Sequence, residues 1–177
     1  MEFRQFTQNE FEQTLKKWKA EAEAVELFPS EVEQKLSWIS SSISAPSSVN
    51  NKQIAYGIFQ PGAEVAVATC ELILSDLGSI GGKWLKMIKV TLSPEIEVSM
   101  GLGDMDAVNL AIKAYKTAVI GSFAERLTHE ADTVKLYGRN EEILRFLMFL
   151  LASINEQSGK LRARRAGRWL VINEVLE

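Results

Sequence analysis

The sequence predicts an α/β (α+β) fold, a mixed central sheet with helices on both faces, in the order β-α-α-β-β-β-α-β-α-β-β. Three observations carry this expectation. Stretches with apolar residues three and four apart alternate with short β-branched runs. Turn residues, Pro61-Gly62 and the glycines of 76–82, separate three such runs between 53 and 92. After them, Gly101-Leu102-Gly103 leads directly into a long amphipathic stretch.

Residues 2–6 read as a short strand. Thr7-x-x-Glu10 is a capping box, with Phe6 and Phe11 placed as the hydrophobic staple around it. Phe11, Leu15, Trp18, Ala22 and Val25 then form one apolar stripe of a helix over 8–25. Pro29 breaks the chain, and Ser30-x-x-Glu33 starts a second helix with Val32, Leu36 and Ile39 as its stripe. The small, polar, proline-interrupted segment 40–51 reads as a loop. QIAYGIF (53–59), EVAVATCELIL (64–74) and WLKMIKVTL (84–92) read as an antiparallel meander. A helix over 104–128 carries Met105, Val108, Ile112, Tyr115, Val119, Phe123 and Leu127 on one stripe. TVKLYG (133–138) is a short strand, and the helix over 141–154 is apolar nearly all round, which predicts burial on more than one side. KLRAR and RWLVINEV, joined at Ala166-Gly167, read as a terminal hairpin.

Size and composition bound the function. With 177 residues, 46% of them hydrophobic and 24% charged, one domain over 1–177 with a sizeable core is expected. The net charge of −3 supplies no whole-protein field for nucleic acid or an anionic membrane. A single cysteine, Cys70, excludes an intrachain disulfide, and with only His129 beside it no Cys/His zinc site can be built. The N-terminal MEFRQFTQNE carries acids and no apolar h-region, so no signal peptide is expected. The apolar run 146–154 is too short to cross a bilayer. The expectation is a cytoplasmic protein with no metal.

Leu92-Ser93-Pro94 ends the third meander strand, and Val98-Ser99-Met100-Gly101-Leu102-Gly103 precedes the long helix. With the element order, these residues make the chain resemble the GNAT superfamily, the GCN5-related N-acyltransferases, across nearly its whole length. In that family the sheet splays after the strand before the main helix, and acyl-CoA lies in the opening. The family signature there is Arg/Gln-x-x-Gly-x-Gly/Ala; the glycines match, and Val98 stands at the first position. A second echo begins at Asn140, where Asn-x-x-Ile-x-x-x-Leu replaces the frequent Asn-x-x-Ala-x-x-x-Tyr.

The resemblance implies acetyl-CoA as cofactor, contacted by Leu92, Val98, Ser99, Met100, Gly101, Leu102, Gly103 and Asn140, and an amine or protein acceptor as partner. The physical basis is a helix N-terminus, whose unpaired N–H groups and partial positive charge favour a pyrophosphate. Glu95, Glu97, Asp104 and Asp106 would repel phosphates unless they face away. Leu147 stands where the family often has the tyrosine that protonates the departing thiolate. Tyr137 is the replacement acid, with a packed tyrosine as its structural alternative. Glu71, on the second meander strand, is the first candidate for general base, with a solvated sheet face as its alternative.

Two functions therefore stand side by side: an acyl-CoA-dependent N-acyltransferase, and a catalytically inactive GNAT-fold protein that works as a binding or interaction module. The long helix and the apolar helix 141–154 offer a surface for a homodimer. The densest basic cluster is Arg162, Arg164, Arg165 and Arg168. An acidic chain and the lack of interleaved aromatics count against nucleic acid there and favour a solvated hairpin rim. Cys70 reads as a small core residue, and His129 as a charge at a helix C-terminus.

Overall fold

The computed structural model describes residues 1–44, 51–78, 81–158 and 161–174. The elements are β1 (Glu2–Gln5), α1 (Gln8–Ala24), α2 (Pro29–Ser44), β2 (Asn51–Phe59), β3 (Ala66–Asp76), β4 (Lys83–Leu92), α3 (Pro94–Gly101), α4 (Met105–Thr128), β5 (Thr133–Tyr137), α5 (Glu141–Ser158), β6 (Leu161–Ala166) and β7 (Trp169–Glu174). This is the expected order with one added helix, α3. The strands form a seven-stranded sheet in the order β1-β2-β3-β4-β5-β7-β6. β4 and β5 run parallel, while the β1–β2, β5–β7 and β7–β6 pairs are antiparallel, so the sheet is mixed. The chain forms two compact units, one of 1–47, 53–71 and 90–118, the other of 48–52, 72–89 and 119–177.

In the first unit the capping box forms as expected. The Thr7 N–H donates to Glu10 Oε2 at 3.0 Å and the Glu10 N–H donates to Thr7 Oγ1 at 3.3 Å. Arg4 adds a 2.7 Å ion pair to the same carboxylate. Burial would raise the Glu10 carboxyl, but the hydrogen bonds from Thr7 and Arg4 outweigh it and hold it below its ordinary range. The Phe6 and Phe11 rings meet edge to face at 6.4 Å, which is the staple. Trp18 is 2% exposed, and its indole N–H donates to the Ala66 carbonyl at 2.8 Å. That bond fastens α1 to the start of β3 through a donor that would otherwise be stranded in the core.

Two expectations in this unit need correction. The serines of 40–44 do not open a loop, because α2 runs to Ser44; Ile39 and Ile43 continue its apolar spacing, and Ser42 Oγ donates to the Gln53 carbonyl at 2.9 Å. Of the rest of the expected loop, 45–50 lies outside the described residues and Asn51 opens β2. The expected apolar stripe of α4 is not its buried face either. Ala107, Ala111, Ala114, Ala118 and Ser122 are buried together with Val119, the one buried member of the expected stripe, while Met105, Ile112 and Leu127 are 65%, 37% and 73% exposed. Small side chains let a helix backbone come closer to its neighbour than large ones do, and that closeness selects the alanine seam.

In the second unit β4 and β5 pair from Trp84↔Thr133 to Met87↔Leu136. β7 lies between β5 and β6, and a two-residue turn, Gly167-Arg168, joins Ala166 to its partner Trp169. This sets the turn one residue later than the sequence suggested, with Gly167 at φ 63° supplying the left-handed conformation. Val134, Leu136, Leu170 and Ile172 are buried on one sheet face, and α5, which packs on β6 and β7, buries Leu144, Leu147, Leu150, Leu151 and Ile154. The α5 helix is thus buried on one side only. Met148 and Phe149 face away at 47% and 68% exposure, because a helix docked on one sheet face can bury only the stripe that meets it. His129 follows α4, but burial pushes its pKa down, against the opposing pull of Glu125 at 3.8 Å, so the neutral imidazole is favoured where a charge was expected. Cys70 is fully buried, as expected. Among the described residues no helix is long and apolar enough to cross a membrane.

Replacing Trp18 by Phe keeps the ring and removes the donor to Ala66. The expected cost is about 1–3 kcal/mol, read as a lower midpoint in denaturant with an unchanged slope.

Candidate acceptor cavity and the glycine segment

The segment 98–103 does not form the glycine loop the sequence suggested. Ser93 caps a helix with Pro94 at its first position, and Ser93 Oγ accepts the Ile96 N–H at 3.4 Å. That Ser-Pro-Glu start is a complete helix entry signal, so Val98, Ser99, Met100 and Gly101 belong to α3. Leu102 is the C-cap, and Gly103 takes φ 85°. The Gly103 N–H donates to the Met100 carbonyl at 3.1 Å, and the Asp104 N–H donates to the Ser99 carbonyl at 3.0 Å. These two bonds make a Schellman motif, in which Gly103 is the residue that ends the helix. Gly101 has no such duty, and a Cβ built on it would meet nothing within 4 Å.

Asp104 then caps α4. Its Oδ1 accepts the N–H groups of Asp106 at 2.9 Å and Ala107 at 3.4 Å. The Leu102 N–H is bonded to the Val98 carbonyl and the Val108 N–H to the Asp104 carbonyl, both at 3.0 Å. The N-terminus of α4 is therefore an anion site, with the anion supplied by the chain itself. As it stands, the segment does not fit a CoA pyrophosphate, because the Asp106 and Ala107 amides already face the Asp104 carboxylate and the Val108 amide is bonded to the Asp104 carbonyl.

Beside this segment, wholly within the first unit, lies a cavity of about 560 Å³. Four carboxylates line it, Glu21, Glu95, Asp104 and Asp106, against one cation, Lys17. Glu21 is the distinctive member. Its Oε2 is buried and has no hydrogen-bond partner among the described residues. Burial pushes the Glu21 carboxyl up, the Glu95 carboxylate adds to the rise, and hydrogen bonds from Ser93 and the Glu95 N–H with Lys17 at 3.8 Å oppose it without cancelling it. The four acids do not converge: among the described residues no three His, Cys, Asp or Glu side chains are placed to hold a metal ion. A pocket rich in dispersed carboxylates suits an organic cation, whose charge can be met from several sides.

Glu21 escaped the sequence reading because it sits at the edge of the α1 stripe, three residues after Trp18, where an acid reads as solvated surface. The other expected site residues are placed as follows. Leu92 is buried at the end of β4. Glu71 lies on β3, where Gln53 Nε2 donates to its Oε1 at 2.6 Å, and it does not line this cavity. In the second unit, Tyr137 packs against Trp169 with ring centroids 5.0 Å apart. Asn140 caps α5, its Oδ1 accepting the Ile143 N–H at 2.9 Å. Leu147 is fully buried in the core.

No protein-family model matches the chain, and no curated protein sequence matches it. Solved structures do. The crystal structure of a probable acetyltransferase matches with a TM-score of 0.53 and 9% identity over 87% of this chain and 88% of that one. The NatC complex bound to Gag peptide and CoA matches with a TM-score of 0.41 and 9% identity, over 99% of this chain and 98% of that one. The fold is a GNAT-like mixed α/β fold. At 9% identity the first likeness concerns the fold alone.

The raised Glu21 carboxyl makes a pH-dependent signature. A carboxyl whose pKa is higher in the fold favours the folded state below that pKa and loses the contribution as pH rises through it. Glu21→Gln removes the charge, so its melting temperature relative to the parent should rise between mildly acidic and neutral pH. A parallel pair of melting curves across that range would contradict the assignment.

Proposed function

We propose that this protein is a GNAT-type N-acyltransferase that takes a cationic amine into the acidic cavity, with Glu21 as the group that receives the amine's proton. The observation that carries the reading is the Glu21 carboxylate, which lines a pocket of like charge and whose buried Oε2 has no hydrogen-bond partner among the described residues. An ammonium is attracted there by several carboxylates, and a carboxylate with a raised pKa is a better base for removing its proton. The resemblance implies acyl-CoA as donor, with Leu92, Val98–Gly103 and Asn140 as its expected contacts and Glu71 and Tyr137 as further catalytic candidates; for that, Asp104 must first release the α4 amides and Asn140 the Ile143 N–H. Glu21 displaces Glu71 as first choice of base because Glu21 lines the cavity and Glu71 does not. The acceptor is an amine on a small molecule or on a protein, in a cytoplasmic setting.

A second reading, an amine-binding module without transfer, is supported by the Asp104 carboxylate that already occupies the α4 amides.

Thermal titrations with acetyl-CoA and with a simple diamine separate the two. Either ligand at a hundredfold over its dissociation constant adds about 2.7 kcal/mol, a rise of roughly 5–10 °C for a chain of this size. The transferase reading expects both to shift the midpoint, Glu21→Gln to abolish the diamine shift alone, and turnover, followed as thiol release, to fall by about 10²–10⁴. Asp104→Ser, which keeps a capping oxygen and removes the charge, should enlarge the acetyl-CoA shift, and Gly101→Asp, in open space, should reduce it. A diamine shift with none from acetyl-CoA in either the parent or Asp104→Ser would leave the binding module.

A further inference from the structure

The chain segregates its charge. The spans 83–92, 133–139 and 161–169 hold nine of its 20 basic residues and none of its 23 acidic ones. The topology of the second unit places these spans side by side as β4, β5 and β6, with β7 between the last two. Register then sorts their side chains. Lys86 pairs with Lys135, Lys135 with Val171, and Val171 with Arg164, so one row across four strands carries three cations on the same face. Two residues along β6, Arg162 shares that face, and both of these arginines are exposed. Arg165 points the other way and is neutralised by Glu141 at 2.5 Å.

The same face carries aromatic rings. Trp84 is half-buried, with Lys135 Nζ 3.0 Å and Lys86 Nζ 5.5 Å from its ring centroid. Tyr137 and its register partner Trp169, also half-buried, form the tilted pair at the hairpin end. Among the described residues, Lys86, Lys135, Arg162 and Arg164 have no carboxylate partner. The cations also act on one another: burial first, then Lys86 and Arg164, push the Lys135 pKa down. The face opposite, with Leu136, Leu170 and Ile172, is the more deeply buried one; within the row Val171 is also buried, and its neighbours Lys86, Lys135 and Arg164 are half-buried or exposed.

We propose that this cationic, aromatic sheet face of β4, β5, β7 and β6 binds the sugar-phosphate backbone and bases of a single-stranded nucleic acid. Charge complementarity sets the sign of the partner, since a face with unpaired ammonium and guanidinium groups is completed by an anionic chain. The rings choose between anionic chains. Bases stack on half-exposed Trp and Tyr rings, whereas an acidic peptide has no use for them. The row has the right grain as well, with Lys86 and Lys135 one strand spacing apart and Arg164 two further, about 10 Å. The sequence alone counted against this partner for lack of interleaved aromatics. The rings come from β4, β5 and the start of β7, and only the folded sheet brings them beside the arginines.

The test is fluorescence anisotropy of the full chain with a labelled thymidine dodecamer, and with a glutamate dodecamer peptide as the competing anion. Expected is salt-dependent binding of the oligonucleotide, with log K falling about 0.7 per phosphate neutralised on the log-salt axis, and quenching of tryptophan emission. Lys86→Gln/Lys135→Gln/Arg164→Gln should weaken binding at least tenfold and flatten the salt slope. Arg162→Gln/Arg164→Gln, confined to exposed side chains of an edge strand and harmless to the fold, should do so by a smaller factor. Failure of the oligonucleotide to bind at low salt, equal or tighter binding of the glutamate peptide, or unchanged binding by both variants would overturn the proposal.

Discussion

The parallel pairing of β4 with β5 is the constraint from which the rest of the chain's arrangement follows. Both strands enter the ladder at their starts, Trp84, the second residue of β4, beside Thr133, the first of β5, so after Leu92 the chain must travel back the whole length of a strand before it can pair again. A helix is the economical return path, and α4, with 24 residues, spans about 36 Å at 1.5 Å per residue. Its small-residue seam is what lets so long an element lie close along its path. The α3 helix is an insertion between the end of β4 and the start of that return, and it changes what the helix N-terminus meets.

That insertion gives the paired glycines their meaning. A Gly-x-Gly before a helix suggests bare amides and an incoming phosphate. Here Gly103 instead ends α3 in a Schellman turn, and the next residue, Asp104, turns its own carboxylate onto the first amides of α4. The physical requirement is the same in both cases: four unpaired N–H groups need acceptors. What differs is who supplies the oxygen. An internal cap makes the helix start self-sufficient, and the chemistry worth following moves to the carboxylates nearby, where Glu21 is held with one oxygen unsatisfied. An uncompensated buried acceptor costs stability, and a donor brought to it would recover that cost.

How much of this could be read from the sequence depends on how local the cause is. The Thr7–Glu10 box, the Phe6–Phe11 staple and the meander strands are set by residues close to one another in sequence, and they form where the sequence puts them, whereas Asn140, read from the resemblance as a cofactor contact, caps α5. The α4 face was misread because periodicity counts large apolar residues, while closeness of approach favours the alanines lying between them. In α5, an all-round apolar pattern could not reveal that Leu144, Leu147 and Leu151 would be buried while Met148 and Phe149 stayed exposed. Glu21 is invisible for a different reason. Nothing near it in sequence says that Ser93 and Glu95, more than seventy residues away, will fold against it.

Charge is the property most distorted by averaging. A net −3 spread evenly would leave every surface mildly acidic and would argue against any anionic partner. The strands do not spread it. The first unit gathers carboxylates around one lysine in a cavity. The second lines up cations across a sheet face whose residues come from three separate stretches of chain. Long-range fields depend on the sum, but beyond a Debye length of roughly 8 Å at physiological salt the sum is screened, and a ligand at contact feels the local set. Each unit therefore presents its own sign of charge to a ligand of molecular size. A cationic amine and an anionic strand are compatible with one chain because neither is recognised by the chain's total.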